Sequence, residues 1–189
     1  MESSQAVFVF QLSSSMLASS RKGGGKAGGE LNLQAVFSDH GLCQLSLCRG
    51  KFLAPLCHGL DQLRKPQRAA ARFELLKERL LARLSGGRAE MKWHEFDLRG
   101  RPDFQLRAWK AMHALPFGTT ATYAEIAQAA GSPRAVRACG QACGANPILI
   151  FIPCHRVVSA SGLGGFGCGV EWKKRFLALE GVDWRTLHP

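Results

Sequence analysis

At 189 residues the chain is long enough for one large domain or two small ones, and with 46% hydrophobic residues it can bury a core. Lys and Arg number 25 against 14 Asp and Glu, a formal net charge of +11 that suits a polyanion, nucleic acid first, as well as a merely basic soluble surface. Seven cysteines, an odd number without a CxxC pair, exclude a fully paired disulfide scaffold and point to a reducing compartment.

No apolar run reaches membrane-spanning length, and the stretch from Met1 to Phe10 lacks the basic opening of a signal peptide. The expectation is a protein without a membrane partner, cytoplasmic, or nuclear if the source is eukaryotic. Residues 1–30 begin with a short apolar run and then turn to Ser and Gly. Ser19 to Gly29 reads as a basic, low-complexity loop or tail.

From Leu31 the pattern alternates. Leu31, Leu33, Ala35 and Phe37 share one face, Asp39 to Gly41 turns the chain, and Leu42 to Leu47 returns, which predicts a hairpin. Residues 67–84 carry Phe73, Leu76, Leu80 and Leu84 at helical spacing, and Ser85-Gly-Gly87 stops that helix. The boundary falls before the turn-rich stretch Glu95 to Pro102. Residues 1–95 are then a small α+β domain, and residues 96–189 a mostly helical one.

Three helical segments open the second half. One is capped at Asp103 or a neighbour and runs through Phe104, Ala108, Trp109 and Met112, with Phe104 and Trp109 expected in the core. The second starts at Thr122. After the turn Gly131-Ser-Pro133, the third runs from Pro133 through Arg134, Arg137 and Cys143, with Cys139 and Cys143 as small core packing. Helix, short Gly-containing turn, helix is helix-turn-helix spacing. The third helix is rich in Ala and Gly, so it can lie close to another surface, a neighbouring helix or a nucleic-acid groove. A last helix, Glu171 to Glu180, is expected to carry Lys173-Lys-Arg175 outside and Phe176, Leu177 and Leu179 within.

Between the third and last of these helices lies Ile150-Phe-Ile-Pro-Cys-His-Arg-Val-Val158. A buried Cys is commonly inert packing. It becomes a nucleophile where a neighbour stabilises the thiolate. In an extended segment Cys154 and His155 point apart, so His155 would act through a water, with Glu180 or Asp183 holding the imidazole. Spacing does not choose between the two acids. A Cys–His hydrolase and a metal site are the competing readings. His40, Cys43, Cys48, Cys57 and His58 cluster loosely, but no spacing matches a structural zinc motif.

Asn146 to Val158 resembles the active-site signature of the O6-alkylguanine-DNA alkyltransferases, the methylated-DNA–protein-cysteine S-methyltransferase family. Asp97 to Gly100, Phe104-Gln105, Trp109, Pro116-Phe-Gly118, Thr122-Tyr123, Arg134 to Arg137, Gly165-Phe166 and Leu179-Glu-Gly181 follow in the family's order. The resemblance is strong over residues 97–181, in outline over 31–96, and slight over 1–30. It implies an RNase H-like N-terminal domain and a C-terminal domain with a winged-helix-like helix-turn-helix. It also implies DNA repair by irreversible transfer of an O6-alkyl group, mainly methyl, from guanine, and the same for O4-methylthymine. Each molecule would act once, without a cofactor or a required metal, as a monomer on the minor groove of double-stranded DNA with little sequence preference.

The residue roles come with the resemblance. Cys154 is the alkyl acceptor, His155 its base through a water, Glu180 the residue that orients His155, and Asn146 the brace of the turn. Arg137 replaces the flipped-out base in the stack. Tyr123 helps turn the nucleotide and donates to guanine N3. The backbone carbonyls of Cys154 and Val157 read the exocyclic amine, and Phe166 and Gly167 belong to the substrate loop. Arg134 and Ala135 meet DNA, and Ala135, Ala138, Gly140 and Ala142 are small so that the helix can approach it. Relatives that bind damage without repairing it lack the acceptor cysteine, and that non-catalytic reading is the alternative that Cys154 argues against. Many members carry Ser then Gly where this chain has Gly167 and Cys168, and the loop Ser161 to Gly165 is one residue shorter than in some. Cys168 is therefore expected to crowd the pocket and disfavour bulky adducts. Some members hold zinc in the N-terminal domain. Cys43 and His94 lie near plausible ligand positions, but a full set of four is not present.

Overall fold

Alternation writes the N-terminal sheet. The structure, a computed structural model, describes residues 5–12, 31–49 and 66–187. They fall into two compact units, divided between Asp97 and Leu98; the boundary drawn from the sequence lies two residues earlier.

In the first unit β1 (Gln5–Leu12), β2 (Leu31–Ser38) and β3 (Leu42–Arg49) form an antiparallel sheet in the order β1-β2-β3. The hairpin is where the alternation placed it. Its register slips between Val36 and Phe37, where Val36 pairs with Gln44 but Phe37 pairs with Leu42. Cys43 is the extra residue of this bulge, which is how Leu42 and Leu45, three apart, both reach the core. At the turn, Ser38 Oγ accepts from the backbone N–H of His40 and Gly41 and donates to Asp97. Gly41 is required: a Cβ there would run into the Glu95 carbonyl. β1 had read only as an apolar run, because the Ser- and Gly-rich chain after it hides its partner.

The helix α1 (Pro66–Leu84) packs on this sheet. Leu76, Leu80 and Leu84 are buried, as their spacing predicted. Each contributes about 1.5–3 kcal/mol by leaving water. Phe73 is half-buried and stacks on Phe8 at 4.5 Å. The helix ends in a Schellman motif. Gly86 has φ +81°, Gly87 N–H donates to Ala82 O, and Gly86 N–H donates to Arg83 O.

The second unit contains α2 (Asp103–His113), β4 (Ala121–Thr122), α3 (Tyr123–Ala129), α4 (Val136–Gly144), β5 (Val157–Val158) and α5 (Val170–Leu179). Pro102 is the N-cap of α2, and Asp103 stands in its first turn, where a carboxylate favours the helix dipole. Trp109 is fully buried and donates from Nε1 to Ala142 O at 2.8 Å, pinning α2 to α4. Phe104, expected beside it, is only half-buried, with Arg107 over its ring. Thr122 and Glu125 form the capping box that starts α3. The helix α4 begins at Val136, three residues later than expected, so Pro133 and Arg134 belong to the turn and Ala135 is the N-cap.

Two sequence expectations fail on helix phase. Ala142, expected to face DNA, is buried in the core beside Cys139. Lys173, expected outside, is completely buried. It lies three and four residues before Phe176 and Leu177, on the same helical face. Lys174 and Arg175 do lie nearer solvent. The short parallel pair of β4 with β5 sets the start of α3 beside the chain that leaves Cys154. The coarse class, α+β with a small sheet and a mostly helical second half, is as expected.

Candidate active site

The segment that leads to Cys154 begins as core. Ile148 to Ile152 are all buried, so the greasy run is ordinary packing. Its path is not ordinary. Ile150 has φ +74°, a left-handed conformation that costs a β-branched residue about 1–3 kcal/mol. Asn146 holds the turn from both sides. Its Oδ1 accepts from Ile148 N–H at 3.0 Å, and its Nδ2 donates to Ile152 O at 2.7 Å. The same Nδ2 lies 3.0 Å from Cys154 Sγ.

Cys154 to Arg156 then coil into one 3-10 turn rather than the extended segment expected. All three side chains are buried. His155 Nε2 meets Glu180 Oε1 at 2.9 Å. Arg156 grips the same carboxylate with Nε at 2.7 Å and Nη2 at 2.9 Å, a bidentate pair. Its Nη1 donates to Leu115 O at 2.6 Å, and its guanidinium lies over the Phe117 ring. Gly118 N–H also donates to Glu180 Oε2. Gly118 has φ +76°, and a Cβ would crowd the Glu180 carbonyl, so only glycine fits. Asp183, the other acid that spacing left open, is exposed and pairs with Arg185.

The electrostatics follow from burial. Burial alone would raise the Glu180 carboxyl, but its bonds to His155 and Arg156 outweigh that and hold it at about 2. Burial pushes the Cys154 thiol up to about 11, against the Asn146 N–H and the Lys173 charge, which favour the thiolate. Burial also raises the Tyr123 phenol, which keeps it an O–H donor.

Cys154 opens on a cavity of about 230 Å³. Tyr123 and Phe166 form its aromatic walls, and Phe176 meets Phe166 edge-on at 6.1 Å. Cys143 places a second thiol there, so it is cavity wall rather than the core packing expected. Gly140, Gly144, Gly165 and Gly167 complete the lining. A Cβ at any of these four glycines would meet nothing within 4 Å. The protein's own packing does not demand them. Glycine inside a helix costs about 1 kcal/mol against alanine, and nothing in the packing around Gly140 offsets that cost.

The structure therefore gathers Cys154, Tyr123, Phe166 and Gly167 around one cavity, with His155, Glu180 and Asn146 behind the thiol. Arg134 and Arg137 are exposed, and Ala135 and Ala138 are half-buried; none of the four lies on the cavity wall. Val157 is buried and its carbonyl accepts from Lys173 at 2.6 Å, which leaves one lone pair for any other donor. The wall presents Gly167, and Cys168 beside it lies close enough that its thiol raises that of Cys154. The sequence reading missed Arg156, Lys173 and Cys143. Helical phase was the available signal for Lys173. For Arg156 it was a charge between buried neighbours.

In the first unit, Cys43 Sγ lies 3.8 Å from Gly41 O and 3.9 Å from Asp97 Oδ2. Among the described residues no three His, Cys, Asp or Glu side chains come together to hold a metal ion. Cys57 and His58 lie outside the described residues.

Residues 103–182 match the family model described as the DNA binding domain of 6-O-methylguanine DNA methyltransferase. A Methanosarcina barkeri protein named methylated-DNA–protein-cysteine methyltransferase is 40% identical over 147 residues, 76% of this chain and 86% of that protein. The chain belongs to this family. A Mycolicibacterium paratuberculosis methyltransferase of the same name is 53% identical over 87 residues, 46% of this chain and 52% of that protein. The chain thus spans about half the length of the mycobacterial methyltransferases it matches. Among solved structures, Mycobacterium tuberculosis O6-methylguanine methyltransferase superposes with TM-score 0.60 at 34% identity, covering 97% of this chain and 95% of that one. The Mycobacterium tuberculosis OGT in complex with DNA gives TM-score 0.63 at 35% identity, covering 84% and 89%.

Proposed function

We propose that the protein repairs DNA by moving the O6-alkyl group of guanine, methyl above all, onto Cys154. The observation that carries this reading is a thiol on a cavity wall whose neighbouring imidazole is fixed by a buried carboxylate. With Nε2 of His155 held by Glu180, Nδ1 is the nitrogen that takes the thiol proton through a water. The sulfur attacks the alkyl carbon, a C–S bond forms as the C–O bond breaks, and the electron pair leaves on O6. Hydrogen bonds from the Tyr123 hydroxyl at N3 and the Gly167 N–H at O6 stabilise the departing guanine anion, which takes a proton from water, while the proton held by His155 returns to water. No step restores the thiol, so each molecule turns over once, and the reaction draws on no cofactor.

A base inside a duplex cannot reach Cys154, so the nucleotide is flipped into the cavity and Arg137 fills the gap in the stack. Arg134, exposed in the turn before α4, Arg137, exposed in its first turn, and the net charge of +11 suit the phosphate walls of a minor groove. Binding is then by a monomer, nearly independent of sequence and sensitive to salt. The same cavity admits O4-methylthymine. The reading extends to an RNase H-like first domain and a winged-helix-like second one.

The test is intact mass after incubation with a duplex containing O6-methylguanine, followed by peptide mapping. One methyl on Cys154, saturating at one per protein, is the expected result. Tight binding with unchanged mass would make the protein a damage sensor instead.

A further inference from the structure

Lys173 is a cation with no exposure at all. Among the described residues no carboxylate pairs with it. Its Nζ donates to three backbone carbonyls: Val157 O at 2.6 Å, Leu163 O at 2.6 Å and Gly165 O at 3.2 Å. A buried ammonium without a counter-ion is expensive, and an apolar side chain of the same length would fill the space without that cost. The charge is therefore kept for the bonds it makes.

Those bonds join β5 to the loop that follows it, which is otherwise bridged, among the described residues, only near its start, by the backbone pair of Ser159 and Gly162. Val157 begins β5, three residues beyond Cys154. Leu163 and Gly165 belong to the loop that delivers Gly165, Phe166 and Gly167 to the cavity wall. We propose that Lys173 is a positioning residue for alkyl transfer: its ammonium ties the substrate loop to β5 and so sets the width of the cavity in which a base meets Cys154. This rests on the transferase reading of the cavity.

A second observation agrees with the geometry. Burial depresses the Lys173 ammonium to about 8, and its charge in turn favours the thiolate of Cys154. The groups that titrate around it are the Cys154 and Cys143 thiols, facing it from the acceptor turn and from α4.

The experiment compares wild type with Lys173→Met, which is unbranched, one atom shorter and uncharged. Four quantities are read: thermal midpoint, affinity for undamaged duplex, single-turnover methyl transfer at saturating O6-methylguanine duplex, and hydrogen exchange of the amides in residues 163–167. The expected result is a modestly lowered midpoint, since three carbonyls lose their donor while a buried charge is removed, affinity within about twofold, transfer slowed about a hundredfold, far more than the midpoint accounts for, and loop exchange faster by roughly tenfold. Unchanged transfer and unchanged loop exchange would overturn the proposal, as would a loss of transfer matched by an equal loss of midpoint. Should Lys173→Met not fold, Lys173→Arg serves: it keeps the charge with a different donor geometry, and slowed transfer at an unchanged midpoint is then the supporting result. Wild type that transfers no methyl, with Lys173→Met still loosening the loop, would sink the transferase reading and leave the loop's anchoring to Lys173 standing.

Discussion

The Asn146 amide stands 3.0 Å from the Cys154 sulfur while the same nitrogen holds the Ile152 carbonyl at 2.7 Å. One side chain thus both shapes the acceptor turn and solvates the acceptor. Removing it leaves a buried carbonyl and a buried N–H without their partner, at about 1–3 kcal/mol each, and releases the left-handed Ile150. Asn146→Ala should lose roughly 2–4 kcal/mol of stability and slow methyl transfer. Asn146→Asp would put a carboxylate against the sulfur, disfavour the thiolate and slow transfer further. Urea unfolding and single-turnover transfer measure the two effects, and an Asp variant as fast as wild type would contradict the role in solvating sulfur.

In the free protein Cys154 should be a poor nucleophile. With burial holding the thiol at about 11, the thiolate fraction at pH 7 is on the order of one in ten thousand. Alkylation of Cys154 by iodoacetamide, followed by peptide mapping, should accelerate about tenfold for each pH unit between 7 and 9. A plateau below pH 8 would mean that His155 already activates the sulfur before DNA arrives.

Glu180 ties stability to acid. Its folded carboxyl sits at about 2, below the usual 4.5. A group depressed on folding stabilises the protein above its unfolded value, and that stability is lost as pH falls from about 4.5 through about 2. The depression corresponds to roughly 3 kcal/mol at neutral pH. Glu180→Gln should therefore be less stable than wild type at pH 6, by roughly that amount, and the gap should close by pH 2. Denaturant midpoints at the two pH values decide it. A gap that persists at pH 2 would place the cost in packing rather than charge.

How much of this was legible in the sequence depends on the kind of signal. Alternation and helical spacing carry the β2–β3 hairpin, the core face of α1 and the start of α3 at Thr122, because local chemistry alone decides them. The Pro-Cys-His-Arg stretch showed a nucleophile and a base, and the choice of Glu180 over Asp183 came from family likeness and not from spacing. Three things lay beyond a linear reading. Cys154 to Arg156 fold into a 3-10 turn because the Asn146 clamp, eight residues back, sets their entry. Lys173 reads as a solvent charge and Arg156 carries no reading of its own, but each directs its donors to a carboxylate or to carbonyls brought from elsewhere in the fold. Family likeness alone implies that Gly140 is small for DNA, and only the empty space at the Cβ positions of Gly140 and Gly144 shows that no protein atom needs them small.

That empty space makes the last prediction run against the usual sense of a damaging mutation. Gly140 sits inside α4 with ordinary helical backbone, and a Cβ there meets nothing within 4 Å. Gly140→Ala should stabilise the fold by about 1 kcal/mol, since alanine loses less backbone entropy in a helix. If the cavity receives a flipped base with DNA lying along α4, the added methyl intrudes on the ligand, and affinity for a duplex carrying O6-methylguanine should fall several-fold. Gly144→Ala, at the last turn of the same helix, should behave alike with a smaller gain in stability. Calorimetry and fluorescence-anisotropy titration on the same samples read both sides. A raised melting temperature with weakened binding would show that the glycines are kept for DNA at the expense of the helix. A raised melting temperature with unchanged binding would mean that DNA does not approach this face, and would move the interface away from α4.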